Sequence, residues 1–414
     1  MSTERRPLRI MFLTIFIDLL GVGILIPVIP QLLGNPASPQ YLLPDSLTTQ
    51  EGYVLFGFLL AMYPLAQFFS TPILGQLSDR IGRRPVLVVS MAGTAIGYAI
   101  FALGIHLASI PLLFASRILD GITGGNLSVA QAVIADITPP DQRSKHFGFV
   151  GAIFGLGFIL GPAIGGQLAD SSIHPLFTAA TPFWFATVLS AFNTLLIWLF
   201  LKETNKHRVA ATIEWTRSIS NIIRAFSLPA LRPLFLVGFL FQSGFSFFTS
   251  FFGIYLIVRF GFDESDIGYF FAYIGICVAL TQVFLTPFVA RRWKEQRVLS
   301  VSLAATGVVV FLFLQPGPWP LLLAIVPFFS VCNGLSQANF MGLLSRLAGA
   351  QVQGEVLGIN ASLGALSQAI PAILSGVIAA GSAPSVPLLI AGLVMIAGGI
   401  AFRSSLGARR APSS

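Results

Sequence analysis

The amino-acid sequence predicts an all-α membrane protein whose twelve transmembrane helices form two pseudo-symmetric six-helix bundles. The first indication is composition, since 55% of the 414 residues are hydrophobic and only 10% are charged. A soluble globular domain usually carries about 25% charged residues. This chain cannot cover a soluble globule of its size with polar groups, so we expect its solvent to be lipid.

The second indication is a series of apolar runs, because about 20 mostly apolar residues suffice to cross the hydrocarbon core. Twelve runs meet this requirement. They cover residues 10–33, 53–76, 85–106, 110–136, 146–169, 179–201, 231–258, 266–290, 298–315, 319–345, 355–380 and 385–403. Only Pro316, Gly317 and Pro318 separate the ninth run from the tenth. The first run is too long for a signal-peptide core and lacks a small-residue cleavage site after it.

The third indication is the placement of Lys and Arg, which concentrate in the cytoplasmic loops of membrane proteins. If both termini are cytoplasmic, 22 of the 24 Lys and Arg residues, including Lys206, Arg208, Arg409 and Arg410, fall on that side; the exceptions are Arg117 and Arg259. This clustering between apolar runs also argues against nucleic acid as the partner of the net charge of +8. We expect a bacterial inner-membrane protein that crosses the bilayer many times.

A polar stretch divides the chain into an N-terminal bundle, 1–201, a cytoplasmic linker, 202–230, and a C-terminal bundle, 231–414. In the linker, apolar residues recur at helical spacing at Trp215, Ile219, Ile222, Ile223 and Phe226. This pattern predicts an amphipathic helix within 212–226. The helix lies either on the membrane surface or on the cytoplasmic face of the protein itself.

The two halves carry a weak repeat, in which Gln67 matches Gln282 and Thr71-Pro72 matches Thr286-Pro287. Parallel repeats of this kind place a substrate site near the membrane midplane, between the halves.

Charged residues deep within the predicted helices are Asp18, Arg117 and Asp120, and each costs roughly 2.5–3.5 kcal/mol on insertion scales. Arg117 and Asp120 are neighbours on one helix face, which Ser128 and Gln131 continue. Desolvation favours a neutral carboxyl group and a nearby arginine favours a charged one. We predict Asp18 to be a proton-responsive carboxylate. The alternative is a structural carboxylate that caps a broken helix or pairs permanently with Arg117.

The loop between the second and third helices has a complete spacing pattern, G-x-x-x-D-R-x-G-R-R. Its members are Gly75, Asp79, Arg80, Gly82, Arg83 and Arg84. A basic loop alone indicates only topology, but this pattern resembles the signature loop of the major facilitator superfamily. The resemblance implies the major facilitator fold and a loop that acts as a cytoplasmic latch during alternating access.

The fifth helix carries a glycine stripe, which by itself could serve plain helix packing. The full pattern comprises Gly148, Gly157, Gly161, Pro162, Gly165 and Gly166. It resembles the motif that marks proton-coupled antiporters in the superfamily, and so implies exchange rather than symport.

Residues 117–166 are most similar to the tetracycline/proton antiporters, a branch of twelve-helix drug exporters. Members of that branch carry an acidic residue in the third helix that is tied to recognition of the metal–tetracycline complex. Here the third helix reads VLVVSMAGTAIGYAIFALG, without a carboxylate. This departure argues against tetracycline as the substrate.

The second half contributes amides and aromatic rings instead of deep charges. Candidate cavity residues, together with Ser128 and Gln131, are Gln242, Phe245, Asn333 and Gln337. Aromatic surface with sparse amides suits amphipathic, drug-like cargo. Most of the phenylalanines in the seventh helix could equally face lipid or the core.

The favoured function is therefore a proton-coupled antiporter that exports small amphipathic molecules, with protons, substrate and lipid as its partners. The alternative is a metabolite or sugar uniporter or symporter of the same fold. Scattered histidines, the absence of a phosphate-binding loop and two isolated cysteines predict no enzyme, no cofactor and no metal site. The resemblance implies a monomer.

Overall fold

The computed structural model describes residues 5–139, 142–205, 213–229, 231–315 and 317–408. Pro316, Lys206, Arg208, Arg409 and Arg410 lie outside these ranges. Regular structure in the described residues is helical. The helices are α1 (Arg5–Leu33), α2 (Thr49–Ile81), α3 (Arg83–His106), α4 (Ile110–Thr123), α5 (Asn126–Ile137), α6 (Arg143–Ala169), α7 (Thr181–Phe200), α8 (Arg217–Ser227), α9 (Arg232–Phe260), α10 (Glu264–Leu280), α11 (Thr286–Ala290), α12 (Glu295–Phe313), α13 (Pro320–Gly381) and α14 (Val386–Ala408).

Twelve segments of the described chain are long and apolar enough to cross a membrane, which confirms the predicted number. We number them as spans 1 to 12 in chain order. Span 4 combines α4 and α5, and span 8 runs from Glu264 to Ala290. The stretches Pro320–Leu347 and Glu355–Gly381 of α13 are spans 10 and 11. Each predicted run coincides with one span to within five residues at each end.

Span 8 contains a local irregularity that the sequence analysis does not predict. A π-helical turn, Thr281–Leu285, separates α10 from α11, and the Thr286 backbone N–H donates to the carbonyl oxygen of Thr281. Pro287 follows directly and has no backbone N–H to donate. The widened turn therefore sits where proline already interrupts the regular hydrogen-bond ladder, at the position of Gln282.

The chain forms two compact units. The first comprises Met1–Gly52, Met62–Arg217 and Phe262–Ala272, and the second comprises Tyr53–Ala61, Ser218–Gly261 and Tyr273–Ser414. Side-chain contacts explain the two exchanged segments. In the second unit the Phe251 ring meets Tyr53 and Phe56 edge-on, at centroid distances of 5.9 and 5.3 Å. In the first unit Gln31 Nε2 donates to the Phe262 carbonyl oxygen at 3.1 Å.

The core of the first unit lies where α1, α3 and α5 present their apolar faces to one another. Met11, Leu87, Met91 and Val133 are completely buried there. This packing holds the middle of α1 against the start of α5, and the candidate site lies at that position.

Candidate functional site

Asp18 lies in the middle of span 1 and is buried, with 7% of its surface exposed. Its Oδ1 accepts a hydrogen bond of 2.7 Å from Asn126 Nδ2. No basic side chain among the described residues lies within ion-pair distance of Asp18. The carboxyl group is therefore held by a neutral amide rather than by a permanent cation.

Arg117 and Asp120 form the ion pair that their spacing predicts. Arg117 Nη1 lies 3.1 Å from Asp120 Oδ2, and the two side chains are 2% and 4% exposed. The guanidinium also donates to Ser116 Oγ at 3.2 Å and lies 4.9 Å from the centre of the Phe101 ring. Because Asp120 occupies Arg117, the predicted alternative of a permanent Asp18–Arg117 pair does not occur in this structure.

Span 4 is interrupted between the Arg117–Asp120 ion pair and Asn126. α4 ends at Thr123, α5 begins at Asn126, and Gly124 and Gly125 form the break. The Asn126 amide is fixed in orientation, because its Oδ1 accepts from the Leu127 backbone N–H at 2.8 Å. Its Nδ2 is therefore directed at Asp18. Sequence reasoning missed Asn126, for which the adjacent Gly124-Gly125 pair is the available signal.

The other two candidates in span 4 lie beyond this break, in α5. Ser128 and Gln131 are half-buried, and Ser128 Oγ donates to the Gly125 carbonyl oxygen at 2.8 Å. The single continuous face predicted from Arg117 to Gln131 is thus divided between two helices. The glycine pair is the physical reason, since glycine is a poor helix former.

The glycine stripe of span 5 is a close-packing surface. An added Cβ at Gly157 would lie 2.6 Å from Leu19 Cβ, and one at Gly161 would lie 2.7 Å from Gly23 Cα. Gly165 likewise faces the backbone of Ile24. Three glycines at four-residue spacing therefore bring α6 against the stretch of α1 from Leu19 to Ile24, directly after Asp18.

The remaining members of that motif differ in their surroundings. Gly166 faces the backbone of Glu264, and a Cβ on Gly268 would lie 2.5 Å from the Pro162 carbonyl oxygen. Gly148 has open space where its Cβ would be. Span 5 thus packs closely on both span 1 and the start of span 8, and Gly148 takes no part in either contact.

The signature loop between spans 2 and 3 is held by ion pairs. Arg83 Nη1 lies 2.6 Å from Asp79 Oδ1, and Arg83 Nε lies 3.2 Å from Asp136 Oδ2. Arg84 donates to the Trp198 carbonyl oxygen, whereas Arg80 is exposed. Of the two glycines in the loop, Gly75 has no atom near its Cβ position.

Glu203 completes this loop, although the sequence analysis did not single it out. Its carboxylate accepts from the backbone N–H groups of Arg83 and Arg84 at 2.9 and 3.2 Å, so it covers the N-terminus of α3. Burial acts to raise the pKa of Glu203, but backbone N–H groups from Asn205, Arg83, Arg84 and Thr204 hold it below its ordinary value. Gly82 is required here, because its φ is +116° and a Cβ would collide with the Glu203 carboxylate.

A charged hydrogen bond connects the end of span 5 with the start of span 8. Asp170, which follows α6, accepts a hydrogen bond of 2.7 Å from Ser265 Oγ at the start of α10. Burial acts to raise the pKa of Asp170, but the hydrogen bonds from Ser172 and Ser265 lower it overall. This charged hydrogen bond joins span 5 to span 8 beside the Gly166–Gly268 contact.

The second-half candidates are placed unequally. Gln242 and Phe245 are half-buried in α9, and Asn333 is buried in span 10 with an Oδ1 that accepts no hydrogen bond in the described structure. Gln337 is exposed and its Oε1 accepts from Gln282 Nε2 at 3.3 Å. Within the first unit the matching Gln67 donates to the Gly124 carbonyl oxygen at 2.9 Å. Both repeat-related glutamines therefore reach from the second span of their half to the fourth.

Most of the phenylalanines in span 7 belong to the core of the second unit. Phe248 and Phe252 stack at 4.4 Å between centroids, and Phe329 lies 4.7 Å from Phe248. Phe248, Phe251 and Phe252 are at most 1% exposed. These rings pack against protein and are not available to substrate in this structure.

The described residues contain no group of three or more His, Cys, Asp or Glu side chains that could hold a metal ion. The buried polar side chains of the candidate site carry carboxyl, guanidinium and amide groups and lie on membrane-spanning helices.

Comparison with known proteins places this arrangement in a family. Residues 11–372 match the family description Major Facilitator Superfamily. The chain belongs to this superfamily and is a multi-pass membrane transporter of small molecules, not an enzyme.

Individual similar proteins are consistent with this membership. The chain is 33% identical over 373 residues to the class C tetracycline resistance protein of Escherichia coli, covering 89% of this chain and 88% of that protein. It is 27% identical over 401 residues to multidrug resistance protein 2 of Bacillus subtilis (strain 168), covering 95% and 94%. The crystal structure of the human organic anion transporter MFSD10 (TETRAN) superposes with a TM-score of 0.71 at 25% identity, covering 97% of this chain and all (100%) of that one.

Proposed function

We propose that the chain is a proton-coupled antiporter that exports small amphipathic or drug-like molecules by alternating access, with both termini in the cytoplasm. The observation that carries the proposal is the environment of Asp18. This buried carboxyl group is bound by a neutral amide, Asn126, while Arg117 is engaged by Asp120. Asp18 can therefore change its charge without an ion pair being broken.

Arg117 and Asp120 complete the proposed proton site. A salt bridge that is only a few per cent exposed is costly to separate in a low dielectric. We expect the pair to stay intact in the state described here. Because Arg117 is the cation among the three charged residues deep within the predicted helices, we expect it to pair with a newly charged Asp18 in an alternative state. The energetics are adequate, because one charge that crosses about 100 mV gains about 2.3 kcal/mol, roughly a 40-fold concentration gradient.

Exchange rather than symport is supported by the glycine contacts of span 5. Gly161 abuts Gly23 on span 1, and Pro162 and Gly166 abut Gly268 on span 8. These contacts involve the glycines of the span 5 pattern, and it is the resemblance of that pattern to the motif of proton-coupled antiporters that favours exchange. Relatives named for tetracycline and multidrug resistance support an exported, drug-like substrate.

The substrate class follows from the composition of the candidate cavity residues. These residues offer amides, a hydroxyl and an aromatic ring, but no charge; they are Ser128 and Gln131 in the first half and Gln242, Phe245, Asn333 and Gln337 in the second. Side chains of this composition favour amphipathic molecules over sugars, which need many hydrogen-bonding groups. Since span 3 lacks a carboxylate, we do not propose the metal–tetracycline complex as the substrate.

The experiment that tests this proposal measures uptake of a panel of amphipathic cations, anions and neutral drugs into proteoliposomes with an imposed pH gradient. We expect gradient-driven uptake by the native chain and loss of the gradient dependence in Asp18→Asn. Asp45→Asn, at an exposed carboxylate in the loop after α1, is the matched control. Uptake that is unchanged in Asp18→Asn would remove this residue from the mechanism. Equal uptake with the gradient collapsed would instead favour a uniporter.

A further inference from the structure

The linker helix α8, Arg217–Ser227, has three distinct sides. At about 100° per residue, Ser218, Asn221 and Ala225 share one side and Ile219, Ile223 and Phe226 share a second. Arg217, Ser220, Arg224 and Ser227 occupy the third. We call these the protein side, the apolar side and the polar side of α8. Such a division into three is typical of a helix at a boundary between three environments.

The protein side is docked on span 11. Ser218 and Ala225 are 1% and 2% exposed. Asn221 Nδ2 donates to Ser362 Oγ at 3.1 Å and lies 3.4 Å from the Gly358 carbonyl oxygen. Arg224, at the edge of this side, forms an ion pair with Glu355. The small and polar residues of α8 thus provide its attachment to the protein.

The apolar side is exposed. Ile219, Ile223 and Phe226 are 49%, 67% and 58% exposed, and Trp215, one turn before, is 70% exposed. An apolar side chain of this size gains about 1.5–3 kcal/mol on burial. The helix thus contacts the protein's own surface, as one of the two predicted positions requires, but not through these three apolar side chains. The helix docks through its other face and presents its apolar side outward.

The short connection between α8 and span 7 keeps α8 close to the membrane. Only residues 228–231 separate Ser227 from Arg232, where span 7 begins. Five chain steps reach at most about 18 Å, so the helix cannot leave the neighbourhood of the membrane boundary. One turn into span 7, Leu236 is 49% exposed, as expected of a lipid-facing residue. The apolar side of α8 therefore lies within reach of the membrane boundary at which span 7 begins.

We propose that α8 lies in the headgroup region of the leaflet next to the linker, with its apolar side inserted at the acyl boundary. Its polar side then faces water, and its protein side remains on span 11. Since Arg217 pairs with Glu214 and Arg224 with Glu355, little free charge remains for anionic lipid. Insertion depends on apolar contact, so zwitterionic phosphatidylcholine is sufficient and salt has little effect. Through Asn221 and Arg224, the helix couples span 11 to the membrane surface.

The test uses the full chain in phosphatidylcholine vesicles, in a background in which Cys277 and Cys332 are replaced by alanine. An environment-sensitive fluorophore is attached to Ile223→Cys or Phe226→Cys on the apolar side, and to Ser220→Cys on the polar side as the matched control. A nitroxide group on the lipid acyl chains quenches fluorophores at the acyl boundary. We expect several-fold stronger quenching at positions 223 and 226 than at position 220, with no change at high salt.

Three results would overturn the proposal. Equally weak quenching at positions 220 and 223 would place the helix in water. Quenching that appears only with anionic lipid and disappears in high salt would show binding by charge instead of apolar insertion. Protection of position 223 from lipid quencher, together with label–label energy transfer that grows with the protein-to-lipid ratio, would show that a second copy covers this side.

Discussion

Replacement of Gly161 by alanine tests the contact that positions Asp18. The new Cβ would lie 2.7 Å from Gly23 Cα and 2.8 Å from the Leu20 carbonyl oxygen, whereas ordinary contact begins near 3.4 Å. Both neighbours are backbone atoms, so no side chain can rotate away. α1 and α6 would have to separate by about 0.7 Å, the difference between 3.4 and 2.7 Å.

The magnitude follows from the cost of overpacking, which is typically 1–3 kcal/mol. Gly155→Ala is the matched control, because no atom lies within 4 Å of its Cβ position in the same helix. There alanine should stabilise by about 0.5–1 kcal/mol, since glycine is the poorer helix former. The two substitutions are chemically identical and are expected to have opposite signs.

The assay is equilibrium unfolding of both variants in mixed detergent micelles, followed by gradient-driven transport in proteoliposomes. We expect Gly161→Ala to be less stable than the native chain and to transport more slowly, because α1 carries Asp18. Equal stability of the two variants would refute the assignment of span 5 as a close-packing surface.

Three further predictions concern particular hydrogen bonds. Asn126→Ala removes the donor to Asp18, and loss of a hydrogen bond to a charged group costs about 1.5–3 kcal/mol. We therefore expect proton-driven exchange to be at least about tenfold slower in this variant, with normal folding. Unchanged exchange would contradict a positioning role for Asn126. Since the pKa of Glu203 is held below its ordinary value of 4.5, its stabilising contribution is present above pH 4.5 and is lost as the pH falls through the lowered pKa. The melting-temperature difference between the native chain and Glu203→Gln should therefore shrink with acidification, and a pH-independent difference would argue against the charged cap. Asp170→Asn and Ser265→Ala should be coupled in a double-mutant cycle of unfolding, by about 1 kcal/mol or more, because they share one charged hydrogen bond; additive effects would show that this bond contributes nothing.

The twelve spans could be predicted from sequence because a membrane helix needs only an uninterrupted apolar run of sufficient length. The ion pair of Arg117 with Asp120 was equally accessible, since helical spacing alone makes them neighbours. The signature loop was recognised from its spacing. The structure adds that Arg83 is bound by two carboxylates, Asp79 and Asp136.

Hydrogen-bond partners that lie far apart in the sequence could not be predicted in this way. Asn126 lies 108 residues from Asp18, and Glu203 lies 120 residues from Arg83. No local pattern distinguishes such an amide or carboxylate from a solvated one. The sequence analysis predicted one continuous face in span 4 and did not use the Gly124-Gly125 pair, and the direction of the Asn126 side chain depends on the hydrogen bond from the Leu127 backbone.

The phenylalanines of span 7 show a different limit of sequence reasoning. In a soluble helix, an apolar residue on the outer face is informative. In a membrane helix, lipid, protein core and substrate cavity all accept phenylalanine, so periodicity does not separate them. Packing separates them instead, since Phe248 and Phe252 are enclosed by Phe313 and Phe329.

The central claim is that Asp18 exchanges a proton for cargo, and proton movement driven by substrate tests it most directly. Proteoliposomes that contain a pH-sensitive dye are given an outward gradient of a transported substrate, with no imposed pH difference. We expect the lumen to acidify as substrate leaves, because protons enter in exchange, and Asp45→Asn to behave like the native chain. Asp18→Asn should abolish the acidification. Substrate efflux without a pH change, or with alkalinisation of the lumen, would contradict proton antiport.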